Sequence, residues 1–299
     1  MATHESEPFL RKTWGEKFTS VKFRIRQGLS KIPYLPVPVR LQISPAEEIK
    51  FWWSYVSPFH HPRRGFLDYW GQDLGELRFL WRVLQPRMVF LDVGSYHGIY
   101  SLIAAKRLGK EGQIVAFEPS TREFRRLLLH LRWNGVACVH SEACAVGSSA
   151  AQRTFFQVIS GDATRGGLRP PASDDSVAEV QVRSVCLDSY IASFPLHRVD
   201  VVKLDVEGGE IEALRGAASM LENMRPVLIC EVLDATTQVW GYEAREIIEY
   251  LRARGYAWFD FQEDGTITPH IIQDYYPHVR NFLAVPEEKR ESALRWIQR

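Results

Sequence analysis

The chain has 299 residues, of which 45% are apolar and 24% charged, and its formal net charge is +1. This composition is typical of a globular protein with one large domain or two small ones. The balanced charge gives no basis for a nucleic-acid partner, and we predict none. No apolar run approaches the roughly 20 residues of a membrane span, and residues 1–8 lack a signal-peptide core, so we predict a cytoplasmic protein without a transmembrane segment.

The cysteine pattern supports the same compartment. Four cysteines are present and none forms a C-x-x-C pair: Cys138, Cys144, Cys186 and Cys230. Most lie in apolar, strand-like runs. We therefore predict buried, reduced thiols and no metal site built on them.

The first 70 residues are predicted to be a basic, aromatic, helical extension, followed by the main domain over residues 71–299. Residues 9–32 carry seven lysines and arginines and a single acid, with apolar residues at helical spacing. Such a helix either makes a peripheral contact with a membrane surface or packs its apolar stripe on the domain, and we favour packing. Further on, Ser44, Pro45 and Glu47 form a helix-start pattern, which predicts a helix to about residue 56.

The central part of the chain alternates between strands and helices. Residues 89–93 predict a buried strand, Gly94 and Gly98 a tight turn, and residues 98–108 a helix. A second strand over 113–117, a helix capped by Ser120 and a third strand over about 136–146 follow. This β-α-β-α-β order implies a parallel sheet with right-handed crossovers.

The second half of the chain interrupts this alternation and then resumes it. Residues 147–178 predict an added hairpin with a long loop over 161–175, a length that is usually functional or disordered. We expect this loop, together with the aromatic N-terminal segment, to cover the site. Two further parallel strands are predicted over 199–205 and 226–231, and two last strands over 256–261 and 281–285.

Acidic residues follow the predicted strands, where open α/β sheets bind their ligands. They are Asp92, Glu118, Glu142, Asp205 with Glu207, and Glu231. An acid that ends the second strand accepts hydrogen bonds from ribose hydroxyls, which serves a dinucleotide and S-adenosylmethionine equally well.

Two features of the first turn favour S-adenosylmethionine over a dinucleotide. Its glycines are spaced Gly-x-x-x-Gly, without the G-x-G-x-x-G pattern that binds a pyrophosphate. Asp92 precedes them, and a carboxylate there repels a pyrophosphate but suits the amino group and sulfonium of the methyl donor.

The strand ends resemble those of the FkbM-type S-adenosylmethionine-dependent methyltransferases. The resemblance covers about residues 73–286, and its motifs are LDVGSYHG at 91–98, FEP at 117–119, AVG at 145–147, LD at 187–188 and VKLDVEGGE at 202–210. The last block is the most specific. The resemblance implies a Rossmann-like, seven-stranded class I methyltransferase fold, mostly parallel with an antiparallel last strand. It also implies O-methylation, often of a sugar or natural-product hydroxyl.

The resemblance, together with the positions of the acids, assigns roles to the cofactor site. The methionine end of the cofactor is expected at Asp92, Gly94, Ser95 and Gly98. Glu118 is expected to hold the ribose, and Glu142 or the backbone around Ala143 to contact adenine. Asp205 is expected beside the transferred methyl group.

An alcohol acceptor must lose a proton, for which a carboxylate or a histidine is suited. Glu207 is the first candidate for this base, and Glu231 and His97 follow. We interpret Glu210 as an acid that stabilises a helix N-terminus. A second possibility, that Asp205, Glu207 and Glu231 bind Mg²⁺, is not favoured because nothing in the sequence specifies a coordination geometry.

The sequence thus predicts an S-adenosylmethionine-dependent O-methyltransferase that acts on a small-molecule or glycan hydroxyl. Two alternatives remain at this point. One is an NAD-dependent Rossmann oxidoreductase, which the missing G-x-G-x-x-G pattern disfavours. The other is a non-catalytic module that keeps the cofactor fold, which the intact acids disfavour.

Overall fold

The computed structural model describes residues 36–53, 74–160, 162–194 and 196–291. The basic helix predicted over residues 9–32 lies outside this part of the chain. Of the helices that are described, none is long and apolar enough to cross a membrane.

The described residues contain a large sheet, a small sheet and an N-terminal hairpin. The strands are β1 (Val37–Ser44), β2 (Glu47–Trp53), β3 (Val89–Val93), β4 (Gln113–Phe117), β5 (Val139–Glu142), β6 (Ala145–Val146), β7 (Ala151–Ser160), β8 (Ser176–Val185), β9 (Val201–Leu204), β10 (Val227–Glu231), β11 (Tyr256–Phe261), β12 (Ile267–Pro269) and β13 (Asn281–Pro286). The longer helices are α1 (Leu74–Val83), α2 (Ile99–Leu108), α3 (Thr121–Trp133), α4 (Leu187–Ser193), α5 (Glu210–Arg215), α6 (Ala218–Asn223), α7 (Asp234–Thr237) and α8 (Arg245–Arg252).

The large sheet has the order β12-β11-β13-β10-β9-β3-β4-β5. Strands β5, β4, β3, β9 and β10 are parallel, and β13 is antiparallel to both of its neighbours, β10 and β11. Every residue of β3, β9 and β10 is buried, because helices cover both faces of the sheet. This is the predicted Rossmann-like fold, a seven-stranded core to which the short β12 adds an edge.

The crossover helices follow from their sequences. Ser120 caps α3, because its Oγ accepts from the Glu123 N–H at 3.4 Å. Leu127 and Leu131 are buried on the face that packs against Ala116 of β4. Gly109 ends α2 as predicted, with a positive φ of 64° that favours glycine. Because β3 and β4 are parallel, their carboxyl ends lie at the same edge of the sheet, where α2 and α3 begin.

The helix predicted after Ser44 is wrong: residues 37–53 form the antiparallel hairpin β1–β2. In β2 the buried Ile49, Phe51 and Trp53 alternate with exposed residues, the period of two that marks a half-buried strand. The alternation outweighs the helix-start pattern, since it gives the hairpin a face to bury. Trp53 stacks on His130 of α3 with ring centroids 3.8 Å apart.

The third predicted strand is two strands that belong to different sheets. Strand β5 joins the large sheet, whereas β6 pairs with β8 in a three-stranded sheet of order β6-β8-β7. The predicted hairpin is confirmed as β7–β8, with ten residues in each strand. This insertion lies beyond the carboxyl ends of the parallel strands.

Candidate active site

The turn after β3 is built on glycine. Gly94 and Gly98 both have a φ of 80°, which favours glycine. The N–H groups of Gly94 and Ser95 donate to the carbonyl of Phe117 at 3.0 and 2.9 Å, which joins the turn to the end of β4. A Cβ on Gly94 would overlap the carbonyl oxygen of Asp205 at the end of β9. The turn therefore closes tightly over two neighbouring strand ends.

Glu118 lies directly beside this turn. Its Oε2 accepts from the Tyr96 N–H at 2.8 Å and its Oε1 from the Ser120 N–H at 2.7 Å. The side chain is only 5% exposed, and burial raises its pKa to about 8. Glu118 lines a cavity of about 590 Å³ at the strand ends. The lone pairs that the two backbone groups leave free can accept from ligand hydroxyls.

Asp92 and His97 point into the protein and do not line the cavity. Asp92 accepts from the backbone N–H and the Oγ of Ser101 at 2.9 and 2.5 Å, and burial raises its pKa to about 6. His97 is fully buried with its Nε2 2.5 Å from a Glu123 oxygen, and burial lowers its pKa to about 4. Both side chains hold the turn and its helix in place.

Glu142 ends β5 at the margin of the cavity. It accepts from Arg183 at 2.6 Å and from the Tyr190 hydroxyl at 3.3 Å. Partial burial opposes ionisation of Glu142, but His140 and Arg183 outweigh it and lower the pKa. Neither Glu142 nor Ala143 lines the cavity, but Cys144 directly after them does. This places the predicted adenine contacts next to the wall rather than on it.

A buried lysine organises the end of β9. Lys203 is 1% exposed, and its Nζ donates to Asp205 Oδ2 at 2.7 Å and to Asn281 Oδ1 at 2.8 Å. Its ammonium lies 5.1 Å from the ring of Tyr100, whose hydroxyl donates to Glu76 at 2.5 Å. Asp205 and Lys203 both line the cavity.

Sequence reasoning missed most of this network. Lys203 belongs to the KLDVEGGE motif and was recognisable as a buried charge that needs acidic partners. Asn281 lies 78 residues after Lys203, and Glu76 lies 16 residues before Asp92. No local pattern connects either residue to the strand end. The sheet order brings Asn281 to this strand end, and the packing of α1 brings Glu76.

Glu207 and Glu231 also line the cavity. Glu207 has a φ of 56°, a rare conformation that is supported by Trp240, whose Nε1 donates to the Glu207 carbonyl at 3.2 Å. Burial and the neighbouring charge of Asp205 raise the pKa of Glu207 well above its ordinary value. Glu231 Oε2 is buried and has no hydrogen-bond partner within the described residues. Glu210 instead accepts from the Val206 N–H at 2.9 Å and does not line the cavity.

The β7–β8 hairpin and its connecting segment, residues 162–172, cover the cavity; we call them the roof. Gly167 and Phe156 exchange two backbone hydrogen bonds of 2.8 and 3.3 Å, which fold the segment back on β7. At one end Ser120 Oγ donates to Gln157 at 3.0 Å, beside Glu118. At the other end a Cβ on Gly167 would lie 3.3 Å from the Glu207 Cβ. The roof therefore spans both halves of the cavity.

The residues of the cavity suit a cationic ligand that carries hydroxyl groups. Glu118 has free lone pairs on the side of the first turn. Asp205, Glu207 and the unpartnered Glu231 oxygen supply negative charge or hydrogen-bond acceptors at the other end. S-adenosylmethionine has this chemistry, with two ribose hydroxyls and a sulfonium. Across the described ranges no three His, Cys, Asp or Glu side chains are grouped to hold a metal ion, and the Mg²⁺ alternative has no support in this part of the chain.

The fold has the architecture of the Rossmann-like methyltransferases, and the chemistry of the cavity fits S-adenosylmethionine as a cofactor. The chain belongs to the FkbM methyltransferase family, because the model of the Methyltransferase FkbM domain matches residues 92–257. The predicted family, fold class and cofactor are thereby confirmed.

Two curated relatives and one solved structure illustrate the similarity. Methyltransferase 1 of Beauveria bassiana is 28% identical over 142 residues, which cover 42% of this chain and 57% of the relative. Hexuronic acid methyltransferase AglP of Haloferax volcanii is 24% identical over 160 residues, which cover 51% and 59%. The chain thus spans less than two thirds of each relative. An O-methyltransferase structure from Bacillus cereus is 14% identical with a TM-score of 0.42, covering 93% of this chain and 92% of that chain.

Proposed function

We propose that this chain transfers a methyl group from S-adenosylmethionine to a hydroxyl of a sugar, glycan or small natural product. The observation that carries the proposal is the position of Glu207. Glu207 lines the cavity, and it lies close enough to Asp205 for the charge of that carboxylate to raise its pKa. A relative that is a hexuronic acid methyltransferase supports an acceptor related to sugars.

Cavity size supports a small acceptor rather than a nucleic acid. A volume of about 590 Å³ beneath the roof accommodates ligands of small-molecule size. A cytoplasmic location is also part of the proposal. All four cysteines are free, which fits a reducing compartment.

Each cavity residue has a separate task in this proposal. S-adenosylmethionine, when bound, supplies a methyl group made electrophilic by the sulfonium. Glu118 accepts from the ribose hydroxyls, and Gly94 and Ser95 allow close approach of the methionine end. Lys203 orients the Asp205 carboxylate beside the reacting centre. Glu207 would accept the proton of the acceptor hydroxyl while the acceptor oxygen takes the methyl group and the bond between that methyl carbon and the donor's sulfur breaks.

Burial and its neighbours prepare Glu207 for this task. A carboxylate with its ordinary pKa is a weak base at neutral pH, whereas burial and the charge of Asp205 raise the pKa of Glu207. The positive charge of the cofactor favours the ionised form that must accept the proton. Glu231 is the second candidate base because it lines the same cavity. His97 faces Glu123 instead and reaches the acceptor only through the turn that it supports.

Calorimetry with S-adenosylmethionine and with NAD⁺ tests the cofactor. We expect saturable binding of S-adenosylmethionine and none of NAD⁺. Tight binding of NAD⁺ with no response to S-adenosylmethionine would contradict the proposal and favour the NAD-dependent oxidoreductase instead.

Substitution of Glu207 tests the base. Glu207→Gln keeps the shape of the side chain, so we expect cofactor affinity to be retained while turnover falls about 10²–10⁴-fold. Glu210→Gln is the matched control, since that acid is close in sequence but does not line the cavity. Equal turnover of Glu207→Gln and the unaltered chain would remove Glu207 from the mechanism, and Glu231→Gln would then be examined. Cofactor binding without turnover for any hydroxyl acceptor would favour the non-catalytic alternative.

A further inference from the structure

Two arginines of the roof are not accounted for by methyl transfer itself. Arg165 and Arg169 both lie in the 162–172 segment and line the cavity. They belong to the part of that segment whose Gly167 packs against Glu207, the candidate base. Any acceptor whose hydroxyl reaches Glu207 therefore lies beside this segment.

The guanidinium N–H donors of Arg165 are not within hydrogen-bond distance of the acids beside it. Its guanidinium is 3.6 Å from an Asp162 oxygen and 3.9 Å from an Asp175 oxygen, and both distances are beyond a hydrogen bond. Its side chain is 52% exposed. Arg122, another arginine on the cavity, differs because it donates to Glu123.

Arg169 is positioned by an aromatic ring rather than by an acid. Its guanidinium lies 5.1 Å from the centroid of the Trp240 ring. The same indole donates to the Glu207 carbonyl, so one side chain connects the arginine to the candidate base. Arg169 has no carboxylate partner in the described part of the chain.

We propose that the acceptor carries an oxyanion, a carboxylate or a phosphate, which Arg165 and Arg169 bind while its hydroxyl lies at Glu207. This inference rests on the proposed function and adds a substrate class to it. A guanidinium presents a planar set of N–H donors that matches both groups. Lys203 balances the charge of Asp205 at an Nζ–Oδ2 distance of 2.7 Å, which reduces the repulsion between the cavity and such an anion.

Paired acceptors test the proposal on the full chain loaded with S-adenosylhomocysteine. Methyl glucuronoside and glucose 6-phosphate are the anionic probes, and methyl glucoside is the neutral one. Calorimetry is expected to show binding of at least one anionic probe about tenfold or more tighter than the neutral probe. If methyl glucuronoside binds more tightly, the oxyanion is a carboxylate; if glucose 6-phosphate does, it is a phosphate.

The double variant Arg165→Gln/Arg169→Gln is expected to lose this preference and to keep its affinity for S-adenosylmethionine. Arg153→Gln is the matched control, because Arg153 is exposed on β7 and does not line the cavity. Equal binding of neutral and anionic probes, no binding of either anionic probe, or a preference that survives the double substitution overturns the proposal. Weakened S-adenosylmethionine binding in the double variant also overturns it, since the arginines would then serve the donor's carboxylate. A chain that does not bind S-adenosylmethionine contradicts the proposed function instead.

Discussion

The cavity has two sides that differ in construction. The strand-end wall comprises the turn after β3 and the side chains Glu118, Lys203, Asp205 and Glu231; apart from Asp205 these side chains are almost fully buried. The roof is a hairpin insertion whose cavity-lining arginines are exposed. The wall is thus part of the core, whereas the roof is an addition to it. Such a division suits an enzyme that keeps one cofactor and varies its acceptor through surface loops.

Two glycines provide the sharpest test of this difference. On the wall, Gly94→Ala is expected to lower the free energy of unfolding by about 2–5 kcal/mol, because a left-handed φ costs about 1–2 kcal/mol and the overlap with the Asp205 carbonyl costs about 1–3 kcal/mol more. Urea denaturation measures this change. Gly135→Ala is the control, with a φ of 64° and nothing within 4 Å of the added Cβ. Equal losses in the two variants would show that the wall is not close-packed at this point.

Cofactor affinity is expected to depend on the wall far more than on the roof. Glu118→Ala removes the acceptor of the ribose hydroxyls, and we expect about 100-fold weaker binding of S-adenosylmethionine by calorimetry. Gln157→Ala is the roof counterpart, since Gln157 lines the same cavity beside Ser120. It is expected to change the affinity by less than about threefold. A larger effect of Gln157→Ala would place the cofactor against the roof.

Glu118 of the wall and two buried acids outside it, Glu76 and Glu210, are expected to make the chain less stable as pH rises from 6.5 to 8. Burial raises the pKa of Glu118 to about 8 and that of Glu76 and Glu210 to about 7, from an ordinary value of 4.5. Over this window the folded chain binds more protons than the unfolded chain, so the free energy of unfolding falls.

Thermal unfolding at several pH values measures this trend, with Glu118→Gln as the comparison. His97, whose pKa burial lowers to about 4, acts in the opposite direction, but only below its ordinary value of 6.5. Glu118→Gln cannot ionise and is expected to lose less stability toward pH 8. A Tm that rises between pH 6.5 and 8 would contradict the burial of these acids.

The smallest expected effect concerns a glycine of the roof. A Cβ at Gly167 would lie 3.3 Å from the Glu207 Cβ, so either neighbour needs to move by only a few tenths of an ångström. Gly167→Ala is therefore expected to change the free energy of unfolding by less than about 0.5 kcal/mol and turnover by about threefold to tenfold. Urea denaturation measures the change in stability, and steady-state kinetics measures the change in turnover. A loss of stability as large as that of Gly94→Ala would make the roof part of the core.

Local patterns predicted the elements that bury a continuous apolar run or carry a cap. Strands β3, β4, β9 and β10 and helix α3 are such elements, and all were predicted with nearly correct bounds. The pattern failed at Ser44, where a helix-start motif precedes a strand. It also failed after residue 142, where the chain changes sheets. In both places the secondary structure depends on the apolar surface against which the segment packs, and the residues of that surface are distant in sequence.

The sequence by itself determined the family, the cofactor and the acids at the strand ends, because parallel strands bring their carboxyl ends to one edge. Only the tertiary structure decided which of those residues face the cavity. Asp92 and His97 turn into the protein, while Asn281 reaches Lys203 from a distant strand. The direction of a side chain at a strand end depends on the neighbouring backbone and helices. Those neighbours come from sheet order, which no local spacing encodes.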